Sequence, residues 1–497
     1  GHVFRLAAVE HQPRAAAQAV GGALVEGDQR VDQVAREGGG ELAGAFVQLR
    51  GHLGSPFAAA LVSFSAGTLI LLATVLILRT PLPASPQSVP WWLWVVGGTL
   101  GAFITGIFAT PTVNANLASD GIIGLEKFGL GVVTLKGDNS GLGSTGNSIV
   151  YEGTLVLDYT VSNTTKLRTA SALEMLGGNL VLTGSATAAT SQTVASTTLD
   201  GSSSTDNSGA STITLNPGAG QDIVLNLGAV ARGNTNRDGT IRFILPTGTQ
   251  SATNGFTTST LNGTQGLLGT SAFATVDDGT GVWFATNATN LAGGNIVALI
   301  STVKNDVSTW AVADHITDDT TGFTGTLQGL NINSLRFNAV AGSDLIIASD
   351  GVLSIASGGI LVTSNVGGTP SIQGGTLASG VTELIITQDS AQTFTISSDI
   401  RINHAVTKSG TGTLLLTGNN VYTDETEILQ GTLQVFGGNA IGDNSIVSLS
   451  AYQDTTLQLL ADETIGRLSG GQRATNSDNG TVAVGTHTLT INEVSST

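Results

Sequence analysis

From about residue 120 onward the sequence predicts an all-β chain of stacked strand units, preceded by a short apolar segment that reads as α-helical. Three observations carry this reading. Short apolar-alternating runs recur between clusters of Gly, Asn, Asp, Ser and Thr. A unit that begins Lys127-Phe-Gly-Leu-Gly131 returns in register as Lys408-Ser-Gly-Thr-Gly412. Ahead of both, residues 56–78 carry no charge and are long enough to cross a ~30 Å hydrocarbon core as a helix.

Taken in order, residues 1–50 are rich in Ala and Gly and give no start or stop signal, nor do they form a signal peptide. Residues 51–110 read as a two-helix transmembrane hairpin. The run Leu69-Ile-Leu-Leu-Ala-Thr-Val-Leu-Ile-Leu78 closes at Arg79. A loop with Pro81, Pro83, Pro86 and Pro90 follows, and Trp91-Trp92-Leu93-Trp94 opens a second uncharged run to about Ala109. Tryptophans at one end of an apolar run mark a bilayer interface. Leu49-Arg-Gly-His-Leu-Gly-Ser-Pro-Phe57 and Pro90-Trp-Trp-Leu-Trp-Val-Val-Gly-Gly98 resemble a small inner-membrane family related to drug/metabolite exporters. No charged residue lies inside either run to act as a proton or substrate relay.

Composition changes sharply after this segment. The first 119 residues hold six Arg, six acids and no Lys, so the whole net charge of −17 lies beyond them. The first lysine is Lys127, and seven of the ten prolines fall at or before Pro111. Such a switch predicts a fragment or fusion of two evolutionary units. The acidic balance argues against a nucleic-acid partner, which needs a basic stripe. Zero cysteines exclude a disulfide scaffold, a thiolate nucleophile and a Cys-held metal.

Residues 111–497 form the β region. In Gly153-Thr-Leu-Val-Leu-Asp-Tyr159 the apolar residues Leu155, Leu157 and Tyr159 recur at every second position, the period of a half-buried strand. Leu345, Leu353 and Leu361 sit eight apart, each in a short run followed by a turn. The echo Lys127–Asn139 and Lys408–Asn420 shares Lys, three Gly, one Leu and the final Asn. Each copy leads on to a second one, Gly153-Thr-Leu-Val-Leu and Gly431-Thr-Leu-Gln-Val. Units that bury no face alone stack on their neighbours. At ~4.8 Å per strand and roughly 20–30 residues per coil, one rod on the order of 60–90 Å is expected.

These repeats resemble the passenger regions of bacterial autotransporters, in particular the autotransporter-associated β-strand repeat. Leu125–Leu135, Val406–Tyr422, Gly431-Thr-Leu-Gln-Val435 and Thr464-Ile-Gly-Arg-Leu-Ser-Gly-Gly471 carry the likeness. It implies a right-handed parallel β-helix (a β-solenoid), export to the cell surface with the outer membrane close by, and a role as adhesin or stalk. Host or environmental surface glycans or proteins, and the bacterial secretion machinery, are the implied partners. Membrane contact is expected only through residues 56–109. No translocator barrel is visible in the sequence, which leaves the secretion route open.

Candidate sites are few, and the reading names no catalytic, cofactor-binding or metal-ligating residue. Gly141-Leu-Gly-Ser-Thr-Gly146 has dinucleotide-loop spacing, but it leads into the strand Ile149-Val-Tyr151 rather than a helix. Asp314-His315 with Asp318-Asp319, and Asp277-Asp278, are acidic clusters. Acid/base chemistry or calcium would use them, while solvated turns are their ordinary role. Gly437-Gly-Asn-Ala-Ile-Gly-Asp443 approaches a calcium nonapeptide but has Ala440 in place of its glycine. His404 and His487 read as surface or packing positions. Trp283-Phe284 and Trp310 read as filling the solenoid or capping a loop, with sugar stacking as the alternative. The resulting expectation is a non-enzymatic surface β-solenoid. Its alternatives are a carbohydrate-active β-helix lyase or hydrolase and a remnant of an inner-membrane transporter.

Overall fold

The structure, a computed structural model, describes residues 2–7, 112–113, 122–139, 146–199, 208–232, 239–381, 383–470 and 480–492. Gly1–Val9 with Thr110–Thr497 forms one compact unit and Glu10–Ala109 another. The expected helical hairpin at 56–109 lies outside the described residues. Among the described residues no helix is long and apolar enough to cross a membrane. At the chain start, where the sequence gives no element signal, His2–Ala7 runs parallel to Ile122–Phe128 and covers its open edge.

The rest is strand, and nearly all of it is parallel. Along most of the chain successive strands alternate between sheets, and each such strand pairs with the equivalent strand of the next unit. Val133 lies opposite Leu155, Leu155 opposite Leu180, Leu180 opposite Ile213 and Ile213 opposite Phe243. All five are fully buried. A second row runs Ile372, Ile396, Leu416, Val435 and Leu459. The period of two read in the sequence puts these side chains inward while Thr134, Val156 and Val181 face out.

The single rod does not appear. Ala274–Asp277, Val282–Asn287 and Gly294–Leu299 turn antiparallel and close the first stack by pairing with Gly255–Thr258. A second stack begins at Thr302–Val303 and runs back along the first. Near its start Arg336 Nε donates to Val282 O at 2.8 Å, and near its end Gln453 Nε2 donates to Ala210 O at 3.1 Å. Where the stacks meet, strands such as Glu383–Gln388 and Ala405–Ser409 are buried at every position. Leu384 and Ile386 join the second core while Ile385 joins the first. Their other face carries Glu383, Ile385, Thr387, Thr407 and Ser409, and the first stack covers it through the Arg232–Glu383 pair, the Thr240–Ser409 hydroxyl bond and the packing of Ile385.

Lysines close the corners. Lys127 and Lys408 point inward and are completely buried, with Lys408 lying between Ile386 and Ile428 in the ladder. Lys127 Nζ donates to the carbonyls of Phe128 and Glu152, both at 2.9 Å, and of Gly129. Lys408 Nζ makes the same three bonds, to Ser409 O, Gly410 O and Gln430 O at 3.0, 2.6 and 2.8 Å. Lys166 ties Lys136 O, Gly137 O and Ser162 O in the same way. An ammonium has three donors, and a corner carbonyl cut off from water costs about 1–3 kcal/mol when left unpaired.

The repeat is congruent at its glycines too. Gly153 and Gly431 have φ of +66° and +74°, and a Cβ on Gly431 would stand 2.6 Å from Gly410 O and 2.7 Å from Gly412 O. On Gly153 it would meet Gly129 O and Gly131 O, the equivalent pair. Gly431→Ala is therefore expected to lower unfolding stability by at least about 1–3 kcal/mol in urea titration. An unchanged midpoint would refute the corner geometry.

Burial pushes the Lys408 ammonium down to about 7, against the pull of Asp389, and Lys127 down to about 8. Both folded values lie below the unfolded one, so between pH 7 and 10.5 the unfolded chain binds more protons and stability rises with pH. Lys408→Met should flatten part of that rise, by up to about 1.4 kcal/mol per pH unit, and should also weaken the fold by orphaning three carbonyls. Urea titrations at pH 7 and pH 9.5 on both proteins check the slope.

Candidate functional site

Where the two stacks meet, outward-facing rows that would be solvated on an isolated rod become a seam. Strand Ala210–Asn216 buries Ser211, Ile213 and Leu215, which turns Thr212 outward. Thr212 lies opposite Arg242, and Arg242 opposite Thr275, so three coils present a Thr-Arg-Thr row. The facing row comes from Thr387 and Ser409, paired on adjacent strands of the second stack.

Polar contacts join the rows. Arg232 forms a two-pronged pair with Glu383, which also accepts from the Thr407 hydroxyl. Arg242 pairs with Asp389 through Nη2 and reaches Thr275 Oγ1 at 3.4 Å through Nε. Thr240 and Ser409 share a hydroxyl bond of 2.6 Å. Farther along, Gln453 Nε2 reaches Gly177 O and Ala210 O, and the Tyr151 ring sits 5.4 Å from that of Tyr452. Half-buried ion pairs of this kind gain little net stability but fix which face meets which. Between the rows lies a polar cleft of about 250 Å³.

The residues singled out by sequence fall elsewhere, and most serve turns. Asp314 pairs with Lys304 and accepts from Ala311 N at 2.7 Å. His315 Nδ1 meets Ser334 Oγ at 2.8 Å, and burial holds its imidazole below the ordinary value. Asp318 is buried and accepts from the backbone N–H groups of Asn338 and Ala339; burial raises its carboxyl against the pull of those donors. Asp319 holds Thr321 N and the Asn305 amide. Each carboxylate has its own partners, so the cluster does not converge on a common point. Asp278 closes the hairpin turn through Thr280 N and Gly281 N, and Asp277 accepts from Gly279 N.

Trp310 is buried, donates to Lys304 O at 2.8 Å and packs edge-on against Phe323. The face of Trp283 is taken by the Arg336 guanidinium at 3.8 Å, and Phe284 is buried. Both tryptophans thus fill or cap, and the stacking face at Trp283 is in use. His487 stands 3.9 Å from Asp462, and His404 is half-buried. Gly141–Thr145 lie outside the described residues, and the strand that follows is Ser148–Val150. Among the described residues no group of three or more His, Asp or Glu is placed to hold a metal ion.

At Gly437–Asp443 the loop N–H groups of Ala440 and Ile441 point to the carboxylate of Glu463, at 3.3 and 3.1 Å, one coil on. Neither Glu463 nor the seam residues are singled out by local sequence. Arg232 and Glu383 are 151 positions apart, and Arg242 and Asp389 are 147 apart.

Residues 406–435 match the family model described as "Passenger-associated-transport-repeat", which covers Lys408 and Gly431. Residues 42–119 match the model "Putative inner membrane exporter, YdcZ". The adhesin BmaC autotransporter of Brucella suis biovar 1 (strain 1330) is 31% identical over 353 residues, which cover 67% of this chain and 9% of that protein. The chain therefore corresponds to a small part of that relative's length. No solved structure matches it.

Burial raises the Glu463 carboxyl to about 7, against the Ile441 and Ala440 N–H groups. Between its ordinary value of 4.5 and about 7 the folded chain binds more protons, so this group's stabilisation is full below pH 4.5 and lost as pH rises through 7. Glu463→Gln should remove that loss, so the gap between its urea midpoints at pH 5 and pH 8 narrows relative to wild type. An unaltered gap would show that Glu463 does not titrate there.

Proposed function

From a chain that matches a passenger-associated transport repeat at 406–435, we propose that residues 111–497 are a right-handed parallel β-solenoid folded into two docked stacks and acting as a non-enzymatic adhesin or stalk at the bacterial cell surface. The observation that carries this reading is the repeat itself. The family match at 406–435 coincides with a unit whose lysine and glycines recur in the same geometry at 127–153, and the 31% identity to an adhesin autotransporter covers 67% of the chain.

Physical logic supports a surface role. Without cysteine the chain crosses an oxidising periplasm free of disulfide traps. Its net charge of −17 keeps like molecules apart. The acids flagged by sequence are committed to turns, which favours a binding scaffold over a lyase or hydrolase. Surface glycans or proteins are the fitting targets, and the secretion machinery of the autotransporter route is the fitting export partner. Residues 51–110 read as a two-helix membrane segment, supported by the exporter-model match over 42–119.

External protease on intact cells that express the native protein should release peptides from 120–497, and deleting 111–497 should cut adherence to host or abiotic surfaces several-fold. Release only after lysis, with adherence unchanged by the deletion, would sink the reading.

A further inference from the structure

The polar cleft in the seam has the chemistry of a ligand site. We infer that it is a subsite for one neutral, hexose-sized sugar ring; this rests on the adhesin reading and names its ligand class. One wall carries Thr212 and Arg242, and the other carries Thr387, Asp389 and Thr411. Thr387 is only 5% exposed, yet its hydroxyl and those of Thr212 and Thr411 make no hydrogen bond to the described protein. None of the three hydroxyls is sealed from solvent, so each opens on the cleft as a donor and acceptor that a ligand can take from water.

Charge and size then narrow the occupant. Arg242 is already paired with Asp389, so the cleft has no spare positive charge for a carboxylate, sulfate or phosphate. Asp389 pairs through Oδ2, and the guanidinium through Nη2, which leaves Oδ1 and Nη1 for neighbouring hydroxyls of a ring. Ile241 and Phe273 also line the cleft. A volume near 250 Å³ falls just below the ~300–1,000 Å³ of ordinary ligand pockets, which fits a single ring. Because one wall comes from residues 210–275 and the other from 364–430, the site exists only when the two stacks are docked.

The full chain is titrated with the methyl glycosides of glucose, galactose and mannose and with N-acetylneuraminic acid, followed by saturation-transfer NMR and calorimetry. At least one methyl hexoside should bind at millimolar concentration, and the anionic sugar should not. The double variant Thr212→Val with Thr411→Val, which leaves both ion pairs intact, should weaken binding about tenfold at unchanged melting temperature, as expected for two lost hydrogen bonds. Thr212→Trp, which fills the cleft, should abolish binding. No hexoside binding by wild type, or equal binding by the valine variant, overturns the inference. Adherence that persists without hexoside binding overturns the cleft alone. Hexoside binding without surface exposure or adherence overturns the adhesin reading and leaves the cleft.

Discussion

Backbone carbonyls at the corners of stacked coils have no ladder partner and, once the next coil is laid down, no water. In this chain a lysine side chain turned into the core meets that constraint, its three donors matching three carbonyls, one of them on the following coil. Desolvating an ammonium is expensive, and the lowered affinity of Lys408 and Lys127 for their protons is the sign of that cost. The arrangement persists because the alternative is three orphaned carbonyls at each corner. Strand register follows from it, since the third carbonyl belongs to the residue just before the glycine that opens the next unit's strand.

That glycine is the second half of the device. With φ near +70° and carbonyl oxygens where a β-carbon would stand, Gly153 and Gly431 let the incoming coil settle directly on the Gly-x-Gly corner beneath it. Lysine and glycine together thus define a stacking joint, and the apolar rows Leu155–Leu180–Ile213 and Leu414–Leu433–Leu457 fill the space between joints. Transfer of those side chains from water drives the stack, at about 25 cal/mol per Å² of apolar surface, and the joints give it direction.

Doubling back changes what the outward faces are for. On one rod Thr212, Arg242, Thr387 and Asp389 would be ordinary solvated positions. Docked, they form a seam in which Arg232 and Arg242 each find a carboxylate on the other stack and a polar cleft remains between them. The seam is apolar only in places, as at Leu361 and Ile385, so its specificity comes mostly from charge and hydroxyl complementarity.

Much of this was legible in residue order. Alternation at Leu155, Leu157 and Tyr159 determines strand, the Lys-x-Gly-x-Gly echo determines a stacked repeat, and Asp277-Asp278-Gly279 determines a turn, because each depends on neighbours within a few bonds. The run Glu383-Leu-Ile-Ile386, apolar without alternation, also held the signal of a sheet covered on both faces. What covers it could not be read, because the partners Arg232 and Glu383, or Arg242 and Asp389, are brought together only by a chain reversal about 150 residues wide. The role of Lys127 and Lys408 stayed hidden for a related reason. Local sequence assigns a lysine to solvent, and only the position of the next coil's carbonyl turns it inward.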